Sequence, residues 1–422
     1  MSPAPNFVAA ATSYNFHDRG VYVTAVSFRI AGLGSLALMM MLAGSCGGGS
    51  STSTAMPKPV PACVPASPPE FAYVLNDGAN TVSMYTVDSC TGSLIPTMPG
   101  TVPTGGNNFG SESIAVDPGG RFAYVANLIS NAADLATISM YTINSSTGVL
   151  TPTTPPTVPT GYFPQGIAID PFGKFVYTAN SDDNTVSMFT VTASSGVLTP
   201  TTPPAVSTLA NVSTGNESSP GAVTVDPSGR FAYAVNQDND TVSMFTIDSA
   251  TGVLTPTTPA TVFTGTSPFG ITLDPSGKFA YVPDAYSQPN NFVSEFTVDS
   301  LTGVLTPTAQ IAVSAGNSPT SVAVDPASKF AYVVNRQDNT VSMFTIDPST
   351  GNLTPNTPAT VPTGAQPFRI VVDPSGKFAY VTNQNSASIS IYTLNKDGTL
   401  TAAGTAATGS NPISMAITRA KQ

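Results

Sequence analysis

The chain has 422 residues, 14 of them basic and 24 acidic, for a formal net charge of −10. So few cations exclude a nucleic-acid-binding surface, because neutralising phosphates takes clustered Lys and Arg. Only 9% of residues are charged and tryptophan is absent, so the polarity comes from Ser, Thr and Asn, a surface suited to the cell exterior.

The first element in chain order is a targeting segment. Arg29 precedes an apolar run from Ile30 to Ala43, shorter than the ~20 residues that span a bilayer but matching a signal-peptide core. It ends at Leu42-Ala43-Gly44-Ser45-Cys46, followed by a Gly/Ser/Thr stretch. This resembles a bacterial lipoprotein signal, in which Cys46 is lipidated and becomes the first mature residue. The alternative is plain secretion with cleavage nearby. Residues before Val26 do not read as a signal n-region and point to a start codon further downstream. The resulting division is a leader over 1–46, a flexible Gly/Ser/Pro-rich linker over 47–69 and a folded domain over 70–420.

The folded domain repeats one short phrase seven times: FAYVLN, FAYVAN, FVYTAN, FAYAVN, FAYVPD, FAYVVN and FAYVTN, starting at Phe71, Phe122, Phe175, Phe231, Phe279, Phe330 and Phe378. A spacing of about 50 residues is that of a repeat architecture. Each repeat holds four short runs rich in β-branched and aromatic residues, bounded by Gly, Pro, Asn and Asp and without helical periodicity, which predicts four strands. The sixth shows the pattern: Ser321–Asp325, Phe330–Val334, Thr340–Ile346, then Asn352–Pro355 onward. Asp-Pro-Ser-Gly-Lys over 274–278 and 373–377 suits a type I hairpin turn. The prolines in Leu150–Pro156 lack an N–H, which confines the fourth strand to the outer edge and guards that edge against pairing. The first repeat lacks an inner strand, and Asn411–Thr418 matches the missing one. The predicted fold is an all-β, seven-bladed β-propeller of four-stranded antiparallel blades, the C-terminal strand completing the first blade.

The phrase Tyr380-Val381-Thr382-Asn383 and its copies make the chain similar to the YVTN-repeat, lactonase-like (6-phosphogluconolactonase-like) propellers, from about Phe71 to Arg419. That family includes sugar-lactone hydrolases, muconate-cyclising enzymes and surface proteins without catalysis, so the fold alone does not choose among them. The resemblance implies that active members carry Arg and His near the channel; here Arg369 alone matches.

His17, in the leader, is the only histidine, so the mature domain lacks a His base and a His-containing zinc site. No cofactor or metal is expected. With Cys46 lipidated, Cys63 and Cys90 remain as an even pair able to bridge in an oxidising compartment, the alternative being two free thiols. Seven loops precede the inner strands at the channel mouth, and only Glu112 and Arg369 in them are charged. They are the catalytic candidates, as base and as carbonyl or carboxylate clamp. Gln165, Phe269, Phe368 and Arg336 are the ligand-binding candidates. Tyr162, Phe163, Phe263 and Tyr286 extend the possible aromatic floor. The Asp/Asn clusters at 182–184, 237–240 and 336–339 read as hairpin turns. The neighbours Asn107, Asn108, Ser111 and Ser113 suggest a hydrated loop that leaves Glu112 with an ordinary carboxylate pKa. The absent histidine, the sparse charge and the lipoprotein-like leader favour a membrane-tethered binding or scaffold propeller, periplasmic or on the cell surface, as the expected function. It is expected to be monomeric, held to the membrane by lipid alone, with an envelope protein or glycan as partner. The alternative is a lactone hydrolase.

Overall fold

The computed structural model describes residues 69–105, 111–128, 136–208, 218–285 and 291–418, all within the compact unit Cys63–Gln422. Cys46, Cys63, Asn107, Asn108 and Tyr286 lie outside the described residues. Seven four-stranded antiparallel sheets follow one another as blades. Blade 1 joins the C-terminal strand Pro412–Ile417 to Glu70–Asn76, Thr81–Val87 and Leu94–Pro103. Val74 pairs with Met415 and Ala72 with Ile417. Beyond the ladder, the Phe71 N–H donates to Thr418 Oγ1 and the Thr418 N–H to Phe71 O, both at 2.9 Å. The predicted clasp is therefore formed.

The repeated phrase is the second strand of each blade, and it is buried on both faces because it lies between neighbouring blades as well as between neighbouring strands. Its tyrosine ties one blade to the next. Tyr73 Oη donates to Gly148 O at 2.8 Å, and Tyr380 Oη to Gly92 O at 2.9 Å, which carries the pattern across the closure. Gly148 has φ of +71°, and a Cβ there would come within 2.2 Å of the Phe71 ring, so only glycine fits. Methionine makes a second tie: Met84 Sδ accepts the Leu150 N–H at 3.3 Å, and Met188 Sδ the Leu254 N–H at 3.1 Å.

The hairpin aspartates act mainly on backbone. Asp274 Oδ1 accepts the N–H groups of Lys278 and Phe279, both at 2.8 Å. The basic residue of that turn contributes less: among the described residues, Arg121 with Asp117, at 3.0 Å, is the ion pair formed. The proline-bearing fourth strands pair only with the third strand of their own blade, and Thr151, Pro152 and Thr154–Pro156 are exposed on the rim.

Blade 5 departs from the pattern. Its inner strand shrinks to Thr272–Leu273, against six residues in the other blades. Pro283 occupies the ladder position held by Thr382 in blade 7, and lacking an N–H it cannot hold a full strand. Toward the mouth the bridge from Pro268 to Asp284 remains, with the Phe269 N–H to Pro283 O bond at 2.9 Å and the Ala285 N–H to Ser267 O bond at 3.0 Å.

Candidate active site at the channel mouth

The inner strands enclose a cavity of about 340 Å³ lined by residues from all seven blades. Where each inner strand passes its bulge, the lining residues are Ser113, Gly166, Ala222, Ser321, Arg369 and Ser414. Five of these are small. They leave room for the sixth, and Arg369 is the only charged residue in the lining.

Several bonds hold the strands that carry the two catalytic candidates. The Arg369 N–H donates to Thr382 Oγ1 at 3.1 Å, Thr320 Oγ1 donates to Phe368 O at 2.8 Å, and the Ile370 N–H donates to Ser321 Oγ at 3.3 Å. On the Glu112 strand, the Ile114 N–H donates to Ser414 Oγ at 3.3 Å. Ser111, directly before Glu112, is wholly buried, and its hydroxyl donates to Asn127 Oδ1 at 3.0 Å.

Glu112 belongs to blade 2 and Arg369 to blade 7, with blade 1 between them. Among the described residues, neither the Glu112 carboxyl nor the Arg369 guanidinium has a hydrogen-bond or ion-pair partner, yet each feels the other's charge. Burial pushes the Glu112 carboxyl up to about 7; the negative charge of Asp77 adds to this and Arg369 opposes it. Burial also pulls Arg369 below its usual value, against the pull of Glu112. Glu112 is half-buried, and in place of the ordinary carboxylate expected of a hydrated loop its pKa is raised, by burial first and then by the charge of Asp77.

The ligand-binding candidates divide. Phe269 and Phe368 meet edge to face, with centroids 5.3 Å apart and planes at 88°, and the Arg336 guanidinium lies 5.5 Å from the Phe368 centroid. Arg336 Nε is buried with no partner among the described residues. Gln165 stands apart from this group; its Nε2 donates to Ser181 Oγ at 3.3 Å. Tyr162, Phe163 and Phe263 are 43%, 38% and 79% exposed, so the broader aromatic floor is not assembled from them. The turn reading of the Asp/Asn clusters agrees with their bonds. Asp183 Oδ2 accepts the Tyr162 N–H and Asp240 Oδ1 the Ser267 N–H, both at 2.7 Å, each fixing a loop before an inner strand. Cys90 is disulfide-bonded; Cys63, its expected partner, lies outside the described residues.

Three acidic residues were not singled out by the sequence. Asp77, the first residue after the blade 1 phrase, accepts the Ser111 N–H at 3.2 Å. Asp284 stands where six blades have Asn, and Glu295 where five have Met; both are wholly buried. The signal for each was a departure from the repeat.

A half-ionised carboxyl near neutral pH is a competent proton acceptor, and a guanidinium without a protein partner can stabilise a developing oxyanion. The family model described as "Lactonase, 7-bladed beta-propeller" matches residues 66–208, 201–317 and 309–417. No curated protein matches the sequence. Among solved structures, a candidate 6-phosphogluconolactonase from Bacteroides uniformis aligns with a TM-score of 0.69 at 21% identity, covering 82% of this chain and 99% of that one. The periplasmic gluconolactonase of Pseudomonas aeruginosa aligns with a TM-score of 0.67 at 19% identity, covering 84% and 100%. The hydrazine synthase of Kuenenia stuttgartiensis shares the fold at a TM-score of 0.55 and 20% identity, covering 83% and 100%. These structural likenesses speak to architecture, whereas the family model spans nearly the whole propeller, and the chain belongs to the lactonase family of seven-bladed β-propellers.

Proposed function

We propose that the protein hydrolyses an unphosphorylated lactone at the channel mouth, with Glu112 as general base and Arg369 as oxyanion stabiliser. The observation that carries this reading is that Arg369 of blade 7 lines the cavity while Glu112 of blade 2 lies close enough to feel its charge, and neither is satisfied by a partner among the described residues. A water oxygen attacks the lactone carbonyl carbon while its proton passes to Glu112. Arg369 stabilises the negative oxygen that forms. Collapse then breaks the ring C–O bond, and the leaving alkoxide takes the proton back from Glu112, giving a hydroxy acid. The binding or scaffold reading rested on the absent histidine, the sparse charge and the leader; a carboxyl raised to about 7 supplies a base that needs no histidine.

Charge argues against a phosphorylated substrate. Among the described residues, Arg336 and Arg369 are the only cations toward the mouth; Arg121, Lys174, Arg230, Lys278, Lys329, Lys377 and Lys396 occupy turns at the opposite end. The mouth-side turns carry Asp77, Asp182, Asp183, Asp238, Asp240 and Asp338. A dianion would meet a predominantly negative rim. The leader supports an extracytoplasmic location, lipid-anchored through Cys46, as part of this proposal.

The test is hydrolysis of simple γ- and δ-lactones, with glucono-δ-lactone and its 6-phosphate compared directly. The expected result is turnover of the unphosphorylated lactone that falls by about 10²- to 10⁴-fold in Glu112→Gln. Rates equal to the spontaneous ones across the panel would refute the reading.

A further inference from the structure

We propose that Asp77, in blade 1, is a positioning residue for the Glu112 base of blade 2: it ties together the loops before two inner strands and sets a second negative charge beside the Glu112 carboxyl. This rests on the lactone-hydrolysis reading for its consequence, but not for its test.

In the other blades the residue directly after the phrase is Leu128, Ser181, Gln237, Ala285, Arg336 or Gln384, so blade 1 alone places an acid there. Its oxygens bridge two elements. Oδ1 accepts the Ser111 N–H at 3.2 Å, one residue before Glu112, and Oδ2 accepts Asn411 Nδ2 at 2.6 Å, just before the C-terminal inner strand. The Asp77 N–H also donates to Asn411 O at 3.0 Å.

Elsewhere this latch is made further along the turn. Asn184 Oδ1 accepts the Ser219 N–H at 3.0 Å, Asn291 Oδ1 the Ser318 N–H at 3.2 Å and Asn339 Oδ1 the Gln366 N–H at 2.7 Å; Asp240 serves blade 4. The matching residue in blade 1 is Asn80, whose Oδ1 is buried without a partner among the described residues. Asp77 instead holds the N–H one position further along, at Ser111, where blades 4, 6 and 7 have Pro220, Pro319 and Pro367 without an N–H. It brings a charge, as Asp240 does in blade 4, but here next to the Glu112 strand. It lies beside the one carboxyl that the proposed reaction needs in its basic form near neutral pH.

The charged groups acting on Glu112 are Asp77 from blade 1 and Arg369 from blade 7. Burial is the largest influence raising the Glu112 pKa; Arg369 opposes it and favours an ionised carboxylate of low basicity, while Asp77 adds to the rise.

The experiment is a carboxyl titration by NMR of the full chain labelled with ¹³C-glutamate, which has only four glutamates, Glu70, Glu112, Glu217 and Glu295. Glu112→Gln assigns the resonance. Asp77→Asn removes the charge and keeps an oxygen for the Ser111 N–H, and its NH2 can donate to Asn411 once the Asn411 amide turns to present Oδ1, so it separates charge from anchoring. The expected result is a Glu112 midpoint that falls toward the ordinary carboxylate range, with the acid limb of the lactone rate profile moving down by the same interval. Asp77→Ala, which removes the latch as well, should show the same fall and a further loss of kcat. A falling midpoint without any lactone turnover would support the role of Asp77 and overturn only the lactone reading. A Glu112 midpoint unmoved in Asp77→Asn overturns the proposal whatever the activity.

Discussion

Replacing Asp284 with Asn should make the propeller more stable above neutral pH and no more stable near pH 4. Asp284 is fully enclosed in blade 5; Oδ2 accepts the Ser294 hydroxyl at 2.7 Å, whereas Oδ1 has no partner among the described residues. The Asn side chains of the other blades donate to hydroxyls on the third strand, as Asn335 Nδ2 does to Thr340 Oγ1 and Ser342 Oγ at 3.0 and 2.8 Å. Phe292 replaces that threonine in blade 5, leaving Ser294 alone. Burial pushes the Asp284 carboxyl up to about 7; the Ser294 hydroxyl opposes this and Asp240 adds to it. The folded-state pKa therefore lies above the unfolded value near 4. Between those two pH values the unfolded chain has already released a proton that the folded chain still holds. Stability is full below pH 4, declines as pH rises toward 7 and stays low beyond. At 1.36 kcal/mol per unit, a shift of roughly three units is worth about 4 kcal/mol. Against a total of about 5–15 kcal/mol this is a large fraction. Urea unfolding of wild type and Asp284→Asn from pH 4.5 to 8.5 measures it. The expected outcome is a gap that opens with pH to a few kcal/mol in favour of the variant. A gap absent at pH 8, or constant across the range, would refute the reasoning.

Deleting residues 411–422 removes the inner strand of blade 1 and exposes the ladder edge of Ala72–Asn76; thermal unfolding should show the loss of several kcal/mol, and an unchanged Tm would contradict closure by this strand. Because the Glu112 carboxyl sits near 7, lactone turnover should fall as pH drops through about 7, and an acid limb near 4 in the rate profile would show that burial does not act on the base. Arg369→Ala should lower kcat by about 10²-fold or more with a smaller change in KM, as for removal of an oxyanion donor. Cys46→Ser should move the protein from the membrane to the soluble fraction in a bacterial host, and identical fractionation would argue for plain secretion.

The repeat count, the four-strand grammar, the position of the edge strand and the C-terminal clasp were legible in the sequence because each is a periodic or terminal pattern carried by neighbouring residues. Departures from the repeat also marked Glu112, Arg369, Phe269, Phe368 and Arg336 as residues of interest. What the sequence did not convey is which of these meet and in what medium. Glu112 looked hydrated beside Ser111 and Ser113, yet partial burial and the charges of Asp77 in blade 1 and Arg369 in blade 7 act on it. The pairing of Phe269 with Phe368 likewise spans two blades. Asp77 gains its role only because ring closure brings Asn411 against it. Asp284 was visible as one letter's change in a phrase, while its cost depends on complete burial between strands. A repeat can be recognised from adjacent residues, but dielectric environment and charge proximity are properties of the closed ring, so the acid–base character of the channel was decided by tertiary structure alone.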